Sequence, residues 1–217
     1  MPFRLSRSFL AAVVIALLSP CHVHAQEQNA ADLYRQALKA LPTDPTTVEQ
    51  LHGYDQISID GARRVMAAHG AITQSILDAA QAAQCDWKIG ATGDPNLSFL
   101  TPARTLSEVI ALQARISAAD GKLGDSMKLL AAAMLMGRRI QQIPFPLARV
   151  VGEAIQGSAM NNAAIYIPQA DKASLNAITS ALKVPVTIPS IDEVVNAEFQ
   201  TSRYRHAPQE AEQRARL

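Results

Sequence analysis

The sequence has few aromatic residues, almost no net charge and very little cysteine. Aromatic residues make up 5% of the 217-residue chain, and 20 Lys and Arg against 19 Asp and Glu give a formal net charge of +1. Proteins that bind nucleic acids need a basic surface, so the charge argues against a nucleic-acid partner. Two cysteines are too few to hold together a disulfide-stapled scaffold.

The sequence also lacks the common motifs of catalytic and cofactor sites. It has no His-Glu-x-x-His, nucleophile elbow, Gly-x-Gly-x-x-Gly, Cys-x-x-Cys or EF-hand loop. Gly152 and Gly157 have the spacing of a phosphate loop, but the Lys is missing and both glycines lie within a predicted helix. We therefore predict no catalytic residue, no metal ligand set and no cofactor.

Residues 1–25 have the features of a signal peptide. Arg4 and Arg7 precede an apolar run over residues 9–18, and Val23 and Ala25 suit signal peptidase. Such a run is about 15 Å long as a helix, which is too short to cross a bilayer. We expect cleavage after Ala25 and a periplasmic or secreted protein.

A short segment inside the signal peptide resembles a lipoprotein box. The residue before a lipidated cysteine is usually small, but Pro20 precedes Cys21. We therefore expect ordinary cleavage rather than lipidation, which leaves Cys85 as the only cysteine. No apolar run after the cleavage site is long enough to form a transmembrane segment.

A high alanine content and a period near 3.6 predict an all-α protein. The chain contains 38 Ala, the residue that favours helix most, and proline bounds most of the periodic segments. We predict a single helical domain over residues 26–207 and a polar, frayed tail over 208–217. The domain should consist of about seven helices in stacked antiparallel pairs, over residues 30–41, 60–83, 102–121, 125–142, 147–167, 172–183 and 190–205. Residues 46–59 are ambiguous.

One predicted pair of helices, in the middle of the chain, has the pattern of a tetratricopeptide hairpin. Ala114 and Ala133 put small side chains on the two helices, and Gly121 lies in the turn between them. Tetratricopeptide repeats are 34 residues long, but the residue 34 positions before Gly121 is Trp87 and not a second turn glycine. The pattern therefore does not form a regular repeat.

Residues 84–100 form the longest segment without helical periodicity, and they contain the only Trp. We predict that Cys85 and Trp87 are structural and anchor this loop, while Asp86 accepts hydrogen bonds from backbone amides. An alternative is a binding cleft around the loop, with Asp86 and Trp87 as binding residues.

Two further charged residues interrupt apolar helical faces. Arg115 precedes Ile116, and Glu153 lies among valine, alanine and isoleucine. Solvated faces explain both most simply, whereas a buried pair or a charge that lines a cleft would make them binding residues.

Several of these segments together resemble a family of uncharacterised, exported, all-helical bacterial proteins. The similar residues are Cys85-Asp86-Trp87, Ala111-Leu112-Gln113-Ala114-Arg115 before Gly121, Val151-Gly152 with Ala154-Ile155, and the helix from Ser190 to Glu198. The family usually has Arg at the position of Gln113, and it tends to continue past the position of Leu217. The resemblance implies export and a helical fold, and it implies no activity.

Together these features predict a non-enzymatic, exported helical protein. It would bind another protein or an envelope component through its helical surface. The alternative is an enzyme or small-ligand binder with its site around residues 85–102.

Overall fold

The computed structural model describes residues 28–89 and 96–202, and the regular secondary structure of these residues is helical. The predicted signal peptide over 1–25 and the predicted tail over 208–217 lie outside the described residues. The helices are α1 (Ala30–Lys39), α2 (Pro45–His52), α3 (Ile59–Met66), α4 (Gly70–Gln81), α5 (Leu100–Ala119), α6 (Leu123–Ile140), α7 (Pro146–Tyr166), a 3₁₀ turn (Ile167–Gln169), α8 (Lys172–Lys183) and α9 (residues 191–202).

The two long helices α5 and α6 form the centre of the hydrophobic core. Each of them has 13 buried residues. Helices α2 and α3 pack against α5, whereas α4 and α8 pack against α6, and α7 packs against both. Helix α1 packs mainly against α4. The prediction of an all-α protein is confirmed.

The described residues contain more helices than the seven or so predicted, and one reason is a break in the predicted helix over 60–83. Residues 67–69 separate α3 from α4, and the His69 N–H donates to the Met66 carbonyl at 2.9 Å. After Met66, the next buried side chain is that of Ile72, six residues later. A continuous helix would place these two side chains on different faces. The prediction of one helix was wrong because the periodic apolar positions include Ala68, which is exposed.

A second reason is α2, which lies in the segment that was ambiguous in the sequence. The Asp44 side chain caps it by accepting from the Thr47 N–H at 2.8 Å, and Pro45 occupies the first helical position. Only Leu51 of this helix is buried. One buried residue in eight leaves no apolar period for a sequence to show.

Helices α6 and α7 approach closely where two glycines meet. A Cβ atom built on Gly152 would lie 2.5 Å from the Gly137 carbonyl oxygen and 2.6 Å from Cγ of Gln141. A Cβ atom on Gly137 would lie 2.6 Å from the Gly152 carbonyl oxygen. The backbones therefore touch without room for a side chain, which is a packing role for Gly152 and not a phosphate-binding one.

We expect Gly152→Ala to destabilise the protein by about 1–3 kcal/mol, because the new methyl group overpacks the contact between α6 and α7. Gly157→Ala on the same helix is the matched control, since a Cβ atom there meets nothing within 4 Å. That control should be neutral or stabilising by up to about 1 kcal/mol, because alanine favours helix over glycine. Urea denaturation measures the stability of both variants. Equal urea midpoints for Gly152→Ala and Gly157→Ala would contradict the close contact between α6 and α7.

Candidate functional site

The Trp87 side chain is buried between aromatic rings from two other parts of the chain. Its ring stacks on Tyr34 at a centroid distance of 5.8 Å and on Phe99 at 4.9 Å. Its indole Nε1 donates to the backbone carbonyl of Arg139 at 2.9 Å. Trp87 therefore ties the segment after α4 to α1, to the residue before α5 and to α6.

Asp86 and Asn29 join the same segment to the start of α1. The Asn29 side chain donates to the Asp86 carbonyl at 2.7 Å and accepts from the Asp86 N–H at 2.8 Å. The Asp86 carboxylate accepts from the N–H of Lys88 at 2.8 Å, and Lys88 has a left-handed φ of 53°. The carboxylate of Asp86 is thus engaged in a local turn.

Cys85 is half-buried beside this turn. Burial raises the pKa of its thiol to about 12, although the positive charge of Arg139 opposes the change. A thiol with such a pKa stays protonated at neutral pH and is a poor nucleophile.

We expect Cys85 to react slowly with a thiol reagent in the folded protein and at once in denaturant, because burial protects the thiol and keeps it protonated. The measurement is labelling with a maleimide in a Cys21→Ser background, followed by mass spectrometry. Rapid labelling of the folded protein, or a disulfide-linked dimer on a non-reducing gel, would contradict this expectation.

The other two predicted binding residues, Arg115 and Glu153, contact different parts of the chain. The Arg115 guanidinium donates to the carbonyl of Tyr54 and, at 3.0 Å, to that of Ile57. Glu153 is exposed, and its carboxylate lies 3.2 Å from Nε of Arg149. Arg115 thus holds the link between α2 and α3, whereas Glu153 forms an ion pair on the outside of α7.

A separate cleft of about 770 Å³ lies between α1, α2 and the first turns of α5. Leu38, Leu41, Pro42 and Val48 form its apolar part. Its polar groups come from α1, α2, α5 and the residues after α1, and they include Lys39, Thr43, His52, Thr101, Arg104, Thr105 and Glu108. None of the predicted binding residues Asp86, Trp87, Arg115 and Glu153 lines this cleft.

A hydrogen-bonded histidine and glutamate lie in this cleft. Nδ1 of His52 is 2.8 Å from Oε2 of Glu108, and Nε of Arg104 is 3.9 Å from Oε1 of the same carboxylate. Burial raises the pKa of Glu108, while the charge of His52 opposes the rise. When Nδ1–H of His52 donates to an ionised Glu108, Nε2 is an acceptor in the neutral ring and a donor in the protonated ring.

His52, Arg104 and Glu108 were missed as site residues from the sequence. His52 lies in the ambiguous segment, 56 positions before its partner. The one sequence signal for this site was on α5. Its polar residues Thr101, Arg104, Thr105 and Glu108 are spaced three or four apart, along a helix that is otherwise largely apolar.

We expect Glu108 to make stability depend on pH. Its pKa is raised in the folded protein, so the stability it contributes is present below its ordinary pKa and is lost as pH rises through the raised value. Compared with Glu108→Gln, the native protein should therefore lose stability as the pH rises above the ordinary pKa of a glutamate. Thermal unfolding at several pH values measures the difference. Glu153→Gln, at an exposed carboxylate, is the control, and parallel profiles for native protein and Glu108→Gln would contradict the prediction.

In residues 28–89 and 96–202, no three His, Cys, Asp or Glu side chains are grouped closely enough to hold a metal ion. None of the helices in these ranges has the length and apolar character needed to cross a membrane.

Comparison with known proteins finds no relative. No protein-family model matches the chain, and no curated protein or solved structure is significantly similar to it. Membership of the exported helical family therefore stays a prediction from the similar residues.

Proposed function

We propose that this chain is an exported, non-enzymatic helical protein that binds another protein or an envelope component through its helical surface. The observation that carries the proposal is the apolar outer face of α7. Only two of the 21 residues of this helix are charged, and those two, Arg149 and Glu153, form an ion pair with each other.

Both faces of α7 are largely apolar, although Glu153 and Asn161 are exposed on the outer side. Ala148, Ile155 and Ala159 are buried on the inner side. On the outer side Leu147 is 54% exposed, while Val150 and Ile165 are each 63% exposed. A surface helix normally presents polar residues to water, so an apolar outer face is typical of a helix that another molecule covers.

The exposed apolar side chains continue into the helices after α7. All the exposed large hydrophobic residues of the described ranges lie between Leu147 and Phe199. On α9, Ile191, Val195 and Phe199 recur every fourth residue, which places them on one face of that helix. An apolar face on a partner helix would match this surface by burying its own apolar residues.

We also infer that α5 and α6 form the tetratricopeptide-like hairpin predicted from the sequence. The two helices pack against each other and are joined by residues 120–122, in which Gly121 has a φ of 74°. Ala114 and Ala133 are both buried. Such hairpins commonly present binding surfaces, which agrees with the proposed role.

Photo-crosslinking in the producing cells tests the binding surface. A photoreactive residue is placed at Val150 and, as a control, at Gln74, which is exposed on α4. The proposal expects a discrete crosslinked protein from position 150 only, and its loss when Leu147→Lys puts a charge on the same face. Equal products from both positions, or no product from position 150, would contradict it.

Mass spectrometry of the native protein tests export. The expected mass is that of a chain that begins at Gln26. An intact Met1, or the mass of a lipid on Cys21, would be the contrary result.

A further inference from the structure

In the cleft between α1, α2 and α5, the hydrogen-bond donors of Arg104 and His52 lie outward and the carboxylate of Glu108 lies inward. The Arg104 side chain is 70% exposed and that of His52 is 54% exposed, whereas the Glu108 side chain is 10% exposed. Lys39 adds a further cation to the lining. A molecule that enters the cleft from solvent therefore meets donors and positive charge before it meets the glutamate.

The cleft also has an apolar wall and a helix N-terminus. Leu41 and Val48, both half-buried, lie opposite the first turn of α5, which contributes Thr101 and Pro102. The first turn of α5 carries partial positive charge, which favours an anion. Its free backbone N–H groups are few, because the Leu100 N–H donates to the Leu97 carbonyl and Pro102 has none. The volume of about 770 Å³ lies in the range typical of small-molecule sites.

We propose that this cleft binds a small organic carboxylate with an apolar body. Arg104 and the Nε2–H of a protonated His52 donate to the carboxylate. The wall formed by Leu38, Leu41 and Val48 packs against the apolar body. A planar guanidinium suits a carboxylate because it donates two parallel hydrogen bonds. The hydrogen bond from Nδ1 to Glu108 holds the imidazole ring while Nε2 meets the ligand.

The ion pair between Arg104 and Glu108 does not prevent this role. The two groups are 3.9 Å apart, longer than a hydrogen bond, and Oε2 of Glu108 is taken by His52. Most of the hydrogen-bonding capacity of the Arg104 guanidinium is thus left for a ligand. The site shares no residue with the apolar face of α7, so it is independent of the protein-binding surface proposed above.

Calorimetric titration of the purified protein with octanoate tests the proposal. Octan-1-ol and octylamine are the matched probes, because they keep the apolar body and replace the carboxylate with a neutral or a cationic group. Octanoate should bind saturably, and the other two should bind at least about tenfold more weakly because they lack the charge-assisted hydrogen bonds.

Two substitutions locate the binding. Arg104→Gln and His52→Gln should each weaken octanoate binding about tenfold. Arg149→Gln is the control, because it removes an arginine that pairs with a glutamate four residues later on α7, as Arg104 does on α5. It should leave octanoate binding unchanged. In the native protein, octanoate should also shift the imidazole resonances of His52 in nuclear magnetic resonance spectra.

Three results would overturn the proposal. They are no saturable binding of octanoate, equal binding of octan-1-ol, or equal effects of Arg104→Gln and Arg149→Gln. The last would place binding elsewhere on the protein, for instance on the apolar face of α7. Melting curves of the variants confirm that each is folded, which the exposure of Arg104 leads us to expect.

Discussion

Trp87→Ala should lower the free energy of unfolding by about 3–5 kcal/mol, because it removes the largest buried side chain of the irregular segment and leaves a cavity. Tyr34 and Phe99 lose the ring between them. The Arg139 carbonyl loses its hydrogen bond from the indole. Urea denaturation followed by circular dichroism measures the change.

Trp87→Phe separates the packing contribution from the hydrogen bond. It keeps an aromatic ring between Tyr34 and Phe99 but cannot donate to the Arg139 carbonyl. We expect it to cost less than the alanine variant, about 1–3 kcal/mol. A change below about 0.5 kcal/mol for Trp87→Ala would show that the segment is not an anchor.

Arg139→Met should be the second severe substitution, with a cost of about 3 kcal/mol. Its guanidinium is buried and donates to the carbonyls of Ala79, in the last turn of α4, and of Ala82, at 2.6 Å. A cation at this end of a helix also interacts favourably with the helix dipole. Methionine fills much of the same volume but removes the donor of the Ala82 carbonyl and leaves the Ala79 carbonyl with only the Ala82 N–H, at 3.2 Å.

Arg149→Met is the control for the arginine prediction. Arg149 lies on the outer side of α7 and pairs with Glu153 in solvent, where an ion pair contributes little. The free energy of unfolding of Arg149→Met should stay within about 0.5 kcal/mol of that of the native protein. Equal melting temperatures for Arg139→Met and Arg149→Met would mean that Arg139 does not cap α4.

The helices best predicted from the sequence are those with clear local boundaries. Pro146 begins α7, and the Asp171 side chain caps α8 by accepting from the Ser174 N–H at 2.8 Å. At the start of α9 the Ser190 hydroxyl accepts from the Glu193 N–H, and the Glu193 carboxylate accepts from the Ser190 N–H. Capping needs residues only three positions apart, so the sequence alone can show it.

The predicted start of α5, at residue 102, was two residues too late, because local chemistry did not decide where this helix begins. Thr101 and Pro102 have the pattern of a cap followed by a first helical residue, yet the helix begins at Leu100. Leu100 is buried, and Phe99 before it stacks on Trp87. Packing of these two residues against the core is a tertiary effect that outweighs the local signal.

The candidate site could not be found from the sequence for a similar reason. His52 and Glu108 are 56 positions apart, and only the packing of α2 on α5 brings their side chains within 2.8 Å. Asp86, Arg115 and Glu153 were selected for their charge or their position near a turn, but a sequence does not show which backbone groups such side chains meet.

The sequence by itself determined the helical class, the amphipathic or apolar character of most helices and most helix ends, because these depend on propensity and on contacts within four residues. Only the tertiary structure decided that α3 and α4 are separate, that Gly137 meets Gly152, and that Arg139 caps α4. Those features depend on distances between residues far apart in the chain, which a local pattern cannot specify. The cleft around His52 belongs to the same group, because helices from two parts of the chain must pack before its charges come together.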